Sequence, residues 1–387
     1  MLLGNCISNC ESIYKMDKEL ISWWKTNFGK SEIQKIKEVM ASGHITQGAM
    51  TEELEKRLAR LLDVPYAVLT TNGSTALLMA LIVCGVNPKD EIIIPNFTFV
   101  ATAQAPLLLG ARIKLVDSNC RGPLVDVDKI EKAITPRTKI IIPVHLNGRA
   151  VDIRYINKLA AKYNIKVIED AAQALCSRNN RSFLGTQSYV GIFSLAVTKL
   201  ITTAQGGLLV TRNKKVFEKL KKIRNYGMPN YTSFSGHNVL GFNFKFNDIL
   251  AAVGLSQIEK IKEKVKYHKD IYNLYKFGLK DLNHIKMINV NIEKGELPLW
   301  VEVTCSERER VIDLLKEKNI EAKPFDSSLC DLFYPNNKKI FKHSRFYTNN
   351  GFILPSGSGQ SKKNIRQVIK TLRNIDANIE DRFGCNR

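Results

Sequence analysis

Seven short apolar runs, at residues 66–71, 91–95, 112–117, 139–144, 166–170, 189–195 and 207–211, constrain the fold of this chain more than any other feature. Runs such as EIII (91–94) and KIIIPV (139–144) are apolar almost without interruption, the pattern of strands buried on both faces rather than on one. Helical patterns lie mostly between them. Strands that alternate with helices predict an α/β architecture, a mostly parallel central sheet covered by helices, with ligands taken up outside the carboxyl ends of the strands.

The residues at those ends carry chemistry. YVGIFSLAVTKLITTAQGGLLVT (189–211) reads as strand, loop, glycine turn and strand, with Lys199 on the loop between two buried runs. Read alone, Lys199 is one of 58 basic residues on a solvated loop; held at the edge of a cleft, it suits a Schiff-base lysine whose ammonium is lowered toward neutrality. KVIEDAAQ (166–173) is a buried strand ending in Glu169 and Asp170. A carboxylate there suits the protonated ring nitrogen of a pyridine cofactor, and equally an N-cap for the residues that follow. VLTTNGSTALLMAL (68–81) is a strand, a turn at Gly73 and a helix opening on Ser74 and Thr75, an anion site suited to a phosphate. PNFTFVAT (95–102) offers aromatics that can stack on a ring.

Taken in order, GSTAL, PNFTFVAT, VDVDKIEKAITPRTKIIIPVHLNG, VIEDAAQ, TKLITTAQGG, RNYG and GFNFKFND resemble the DegT/DnrJ/EryC1/StrS family of pyridoxal-phosphate-dependent nucleotide-sugar aminotransferases, from about Asn27 to Ile375. The resemblance implies fold type I of the pyridoxal-phosphate transferases, with a smaller α+β C-terminal domain. It implies that Lys199 holds the cofactor and then moves a proton as general acid and base, that Asp170 meets the ring nitrogen, and that Gln173 lies near the phenolic oxygen. Gly73, Ser74, Thr75 and Ser194 then take the phosphate, and Phe99 covers the ring. Asn243 in GFNFKFND would reach the phosphate of a neighbouring subunit, with Lys245 where arginine is common, so that a homodimer shares its active sites. Thr46, Gln47, His145 and Phe325 are the substrate-side candidates, although a histidine like His145, following a buried strand, is more often structural. Two segments depart from the family: Leu195-Ala196 replaces the usual aromatic and polar pair, and Ala204-Gln205 replaces Gly-Glu before the glycine turn.

The implied reaction passes an amino group from L-glutamate, leaving 2-oxoglutarate, to a nucleotide-linked 4-keto-6-deoxyhexose. Lysine at position 199 argues against the family's sugar dehydratases, which carry histidine there, and the Lys-x-Ile-Thr-Thr loop favours C4 over C3 of the sugar. A 3-keto-sugar aminotransferase and a dehydratase remain the alternatives within the family. From another class stand a non-catalytic cofactor-binding regulator and a nucleic-acid-binding protein, the latter suggested by the net charge of +21. The lysines are nevertheless spread along the chain with no RNA-binding motif, and a positive field also steers a nucleotide diphosphate sugar.

The 387 residues divide into an N-terminal extension (1–26) with Trp23-Trp24 packed on the body, a large cofactor-binding α/β domain (27–246), and an interdomain helix with a small α+β domain (247–387). Expected helices run from Lys30 to Ser42, over the second part of 44–62, from Asn247 to Tyr275 as one long helix, and over 306–318 and 361–374; a strand is expected at 298–304, and fraying after Ile375. The eight cysteines show no C-x-x-C pair and read as free thiols of a reducing compartment, with no metal site. No run approaches a membrane span and the N-terminus lacks a secretory pattern, so a cytoplasmic enzyme with no membrane partner is expected.

Overall fold

The computed structural model describes residues 20–180, 182–229, 239–336 and 341–383. All seven apolar runs form strands of one sheet: Tyr66–Thr70 (β1), Glu91–Pro95 (β2), Arg112–Val116 (β3), Thr138–Ile141 (β4), Lys166–Asp170 (β5), Val190–Ser194 (β6) and Gly207–Thr211 (β7). Their order is β1-β7-β6-β5-β4-β2-β3, parallel except for β7, which runs against both of its neighbours. β4 ends sooner than its apolar run because Pro143 has no N–H to continue the ladder, though the chain stays alongside through a bridge from Val144 to Asp170. The carboxyl ends of β1, β2, β5 and β6 open on the same side.

Helices fill both faces. Lys30–Ser42 (α1) ends at Gly43 in the left-handed conformation, and Ala49–Leu61 (α2) turns Leu54 and Leu58 inward. Gly73–Cys84 (α3) is apolar nearly all round, as a helix enclosed by a sheet and its neighbours must be. Asn72 caps its start, accepting the Thr75 N–H at 2.8 Å, and Gly85 at φ 75° closes its end. Ala101–Leu108 (α4) follows β2.

The expected helix from Asn247 to Tyr275 is two helices meeting at Lys260, Asp248–Glu259 (α5) and Ile261–Gly278 (α6). α5 is buried on most sides, Ser256 and Gln257 included, and packs with α2 in the large-domain core through Ala251 and Leu255. α6 is amphipathic, and Ile271, Tyr272 and Tyr275 enter the core of the small domain. The break separates a helix enclosed by one core from a helix that crosses to another.

The small domain is an antiparallel sheet of Lys286–Met287 (β8), Val301–Thr304 (β9), Lys323–Pro324 (β10) and Gly351–Leu354 (β11), in the order β8-β9-β11-β10. The last helix, Lys362–Phe383 (α7), extends well past the expected end at 374. Its continuation is anchored: Ile379 is buried, and the Asp376 carboxylate accepts the backbone N–H groups of Asn283, His284 and Ile285 at 2.8–3.0 Å. Residues 20–26 belong to the same body. Ile21 exchanges backbone bonds with Asn319 and Glu321, and the Trp24 indole N–H donates to the Val197 carbonyl at 3.0 Å, so Trp24 does pack on the main body.

Asn147 and Arg149 join the two domains. Asn147, at φ 50°, accepts the Leu299 and Trp300 N–H groups at 2.8 and 2.7 Å and donates to the Trp300 carbonyl. The Arg149 guanidinium meets Glu302 Oε2 at 2.5 Å and the carbonyls of Ile288 and Asn289, all out of solvent.

Candidate active site

A cavity of about 300 Å³ lies between the domains, over the carboxyl ends of the strands. Gly73, Ser74, Phe99, Asp170, Gln173, Ser194, Lys199 and Phe325 line it, so the structure gathers these eight candidates from sites spread over 250 residues of chain.

One end is built for an anion. The first helical N–H groups of α3, at Gly73 and Ser74, have no partner within the helix, and the dipole favours negative charge there. Ser194, at the end of β6, faces this turn so closely that a Cβ on Gly73 would lie 3.1 Å from the Ser194 Cβ. A Cβ on Gly207 would come within 2.2 Å of the Asn72 carbonyl oxygen, which accounts for the glycine opening β7. Thr75 is turned aside from the cavity, its hydroxyl bonded among Thr71 and Asn72.

Alternation along β5 separates its two carboxylates. Glu169 faces away and is consumed by structure, accepting Gly185 N–H at 2.9 Å, Gln187 N–H at 2.7 Å and the His145 Nε2 contact at 3.0 Å. His145 is buried behind the cavity and takes the Val151 N–H on Nδ1, so both its nitrogens are engaged. Asp170 faces the cavity. Burial raises its pKa above the ordinary carboxylate value, against the opposing Ala172 N–H (3.1 Å), Thr102 hydroxyl (3.0 Å) and the charge of Lys199. Asp170 does not cap a helix here: the Ala172 contact belongs to a turn.

Lys199 sits on a loop tightened by its own hydroxyls. Thr203 N–H donates to the Leu195 carbonyl at 3.0 Å, the Thr203 hydroxyl to Gln205 at 2.8 Å, and Ala204 takes φ 65°. The buried Lys264 ammonium reaches the Leu200 carbonyl from α6. Burial is the largest influence on the Lys199 ammonium and lowers it; Asp170 opposes and Lys323 adds to the lowering, leaving it at about 8. The Trp300 ring centroid lies 4.9 Å from its Nζ.

Gln173 is held by the Asn147 N–H on its Oε1 at 2.8 Å. Phe99, 53% exposed, stands at the rim. Phe325 packs on Phe97 with ring centroids 5.5 Å apart. The remaining candidates lie elsewhere. Thr46 accepts the Asp248 N–H, and Gln47 lines a separate cleft with Arg224 and Asn225. Asn243 pairs with Asn225 along a strip whose Phe244 carbonyl receives the Thr70 hydroxyl, beside the end of β1, and Lys245 Nζ lies 4.7 Å from the Tyr226 ring centre.

Several cavity residues were not among the candidates: Trp23, Thr102, Trp300, Glu302 and Lys323. Thr102 closes the PNFTFVAT motif in the first turn of α4, its hydroxyl 3.2 Å from that of Thr98.

The donor set fits pyridoxal phosphate: a helix N-terminus with a hydroxyl for the phosphate, a buried carboxylate for the ring nitrogen, and an amine lowered to about 8 in the same cavity. The match to the DegT/DnrJ/EryC1/StrS aminotransferase family model runs over residues 26–373. The chain belongs to this family. It is accordingly an aminotransferase of the type I fold that works with pyridoxal phosphate. Its relatives include the GDP-perosamine synthase of Caulobacter vibrioides, 31% identical over 345 residues, 85% of this chain and 90% of the relative. The dTDP-4-amino-4,6-dideoxy-D-glucose transaminase of Shigella dysenteriae is 31% identical over 337 residues, with the same coverage of 85% and 90%. Among solved structures, S. venezuelae DesV superposes with a TM-score of 0.84 at 26% identity, over 89% of this chain and 94% of DesV. The family, fold and cofactor read from the sequence therefore hold.

Proposed function

We propose that this enzyme moves the amino group of L-glutamate to C4 of a nucleotide-linked 4-keto-6-deoxyhexose, giving a 4-amino-4,6-dideoxy sugar for glycan assembly. The observation that carries the reaction type is Lys199, an amine at about 8 facing the same cavity as the buried carboxylate of Asp170. The sugar position is supported by the relatives, one of which acts on a dTDP-linked 4-amino-4,6-dideoxyglucose.

When bound, pyridoxal phosphate supplies an electron sink for the charge left when a proton leaves the carbon bearing nitrogen. Lys199 would carry that proton, since an amine near neutrality both accepts and returns one. Asp170 in its ionised form would hold the ring nitrogen protonated, oriented by the Thr102 hydroxyl and the Ala172 N–H. Gly73, Ser74 and Ser194 would fix the phosphate, and Trp300 and Phe325 exclude water from the small-domain side.

The working unit in this proposal is a homodimer in the cytoplasm. Asn243 and Lys245 lie outside their own chain's cavity, where residues serving a second subunit belong, and the exposed Tyr226, Leu240 and Phe242 beside them offer apolar surface for contact. Among the described residues Cys84, Cys120, Cys176, Cys305 and Cys330 form no disulfide, which suits a reducing compartment; Cys6, Cys10 and Cys385 lie outside the described residues. No helix among the described residues is long and apolar enough to cross a membrane.

The test is product analysis. With L-glutamate and GDP- or dTDP-4-keto-6-deoxyhexose, mass spectrometry should find the carbonyl oxygen replaced by an amino group, with one 2-oxoglutarate per amino sugar. Glutamate conversion with no amination of any 4-keto sugar would contradict the acceptor assignment.

A further inference from the structure

The segment before the first helix, residues 20–26, has no task in the reaction as described, although Trp23 lines the cavity. It also touches the loop that carries Lys199. After β6 the chain turns sharply, and the Lys199 N–H closes the turn on the Ala196 carbonyl at 3.0 Å. Two carbonyls of this loop are taken by side chains from outside it. That of Val197, two residues before Lys199, receives the Trp24 indole N–H at 3.0 Å and the Thr26 hydroxyl at 3.3 Å. That of Leu200, one residue after Lys199, receives the Lys264 ammonium at 3.3 Å.

The donors are themselves fixed. Trp24 is pressed onto the small domain: the Ser356 N–H donates to the Trp23 carbonyl and the Gly359 N–H to the Lys25 carbonyl, each at 2.8 Å, and a Cβ on Gly357 would lie 2.9 Å from the Trp24 ring. Lys264, buried on α6, also bonds the side-chain oxygen of Gln257 on α5, whose amide donates to Glu32 of α1 at 2.7 Å. One turn farther along α6, the ring of His268 lies 6.0 Å from that of Trp24, so the two holds meet. Burying an ammonium costs desolvation that an apolar side chain avoids, so the Lys264 bond to Leu200 suits the placement of that residue better than it suits stability.

We propose that Trp24 and Thr26 on one side, and Lys264 on the other, are positioning residues for Lys199, holding the carbonyls that flank it and so fixing where its amine stands in the cavity. The proposal rests on the reading of Lys199 as the reacting amine. Trp24, Thr26 and Lys264 do not line the cavity themselves and act through the backbone. A catalytic group misplaced by about 1 Å can cost about a hundredfold in rate, which is the scale on which such a hold matters.

The test uses two variants: Trp24→Phe combined with Thr26→Val, which removes both donors to Val197 and keeps a ring beside His268, and Lys264→Met, which removes the donor to Leu200. In the cofactor-loaded enzyme each should lower kcat by about tenfold with KM for L-glutamate within about twofold, and should halve the circular dichroism of the cofactor band while its absorbance persists. Thermal unfolding of the Trp24→Phe/Thr26→Val variant should stay within about 5 °C of wild type. In the apoprotein, methylation of Lys199 by formaldehyde and cyanoborohydride, read by peptide mass spectrometry, should quicken by about threefold as the loop loosens. Wild-type kcat, dichroism and labelling in the Trp24→Phe/Thr26→Val variant would overturn the proposal whatever Lys264→Met does, and so would a raised KM at unchanged kcat. A wild type that binds cofactor but transfers no amino group would instead contradict the reading of Lys199, and the labelling would still decide whether these residues hold its loop.

Discussion

The large-domain wall of the cavity is made from the carboxyl ends of strands of a single sheet and the turns that follow them, whereas the small-domain wall is made from an edge strand, the residues that follow it and side chains scattered between 300 and 353. On the first wall each residue is fixed by regular structure just before it: Gly73 and Ser74 by β1, Asp170 by β5, Ser194 by β6. On the second, position depends on a few long-range contacts, chiefly the Asn147 and Arg149 bonds that draw residues 288–302 against the large domain. Rigid strand ends hold chemistry to the needed tolerance. A wall carried by a second body can vary with the substrate while that chemistry stays in place.

If this contrast is right, damage to the first wall should stop chemistry with the fold intact, and damage to the second should loosen the body or shift substrate preference. The largest effect is expected for Asp170→Ala. In the proposed mechanism this removes the ring-nitrogen partner, and kcat should fall by about a thousandfold or more, with an unchanged thermal unfolding curve. Activity near wild type would break the comparison at its strongest point.

Arg149→Met should act in the opposite manner. It leaves Glu302 buried without its partner, so denaturant unfolding should report a loss of about 3 kcal/mol or more. Cofactor affinity at saturating folded protein should change little, since the anion-suited turn at Gly73 and Ser74 lies on the other wall.

A pH profile sharpens the account of Lys199. Its amine must be neutral to capture pyridoxal phosphate, and burial has lowered it to about 8. The rate at which apoprotein takes up the cofactor should therefore rise about tenfold per pH unit below 8 and level off above it. A rise that continues toward pH 10 would mean an ordinary solvated lysine. The smallest effect is expected for Thr102→Val. This variant removes one donor to a carboxylate that keeps the Ala172 N–H, and steady-state kcat should fall by about threefold to tenfold.

The same contrast explains what could be read from the sequence. β5 with Asp170, β6 with Ser194 and the Asn72 to Thr75 turn are local patterns in which period, turn chemistry and cap coincide, so position along the chain also gives position in space. Trp300, Glu302 and Lys323 have no such pattern. Lys323 is on a two-residue strand, and Glu302 faces the cavity only because β9 docks through Arg149. The break at Lys260 was equally hidden, because neither proline nor glycine marks it and the helix changes partner there rather than sequence character alone. His145, a substrate-side candidate whose type at that place is more often structural, bonds Glu169 behind the wall, because side chains alternate along β5 and turn Glu169 away from the cavity.

The most direct measurement of the central claim, that Lys199 on the large-domain wall does the chemistry, is the visible absorbance of the protein mixed with pyridoxal phosphate, before and after L-glutamate, in wild type and Lys199→Ala. Wild type should show a band that glutamate bleaches and a nucleotide 4-keto sugar restores, and Lys199→Ala should show neither change. The same bleaching and restoration in Lys199→Ala would contradict the account.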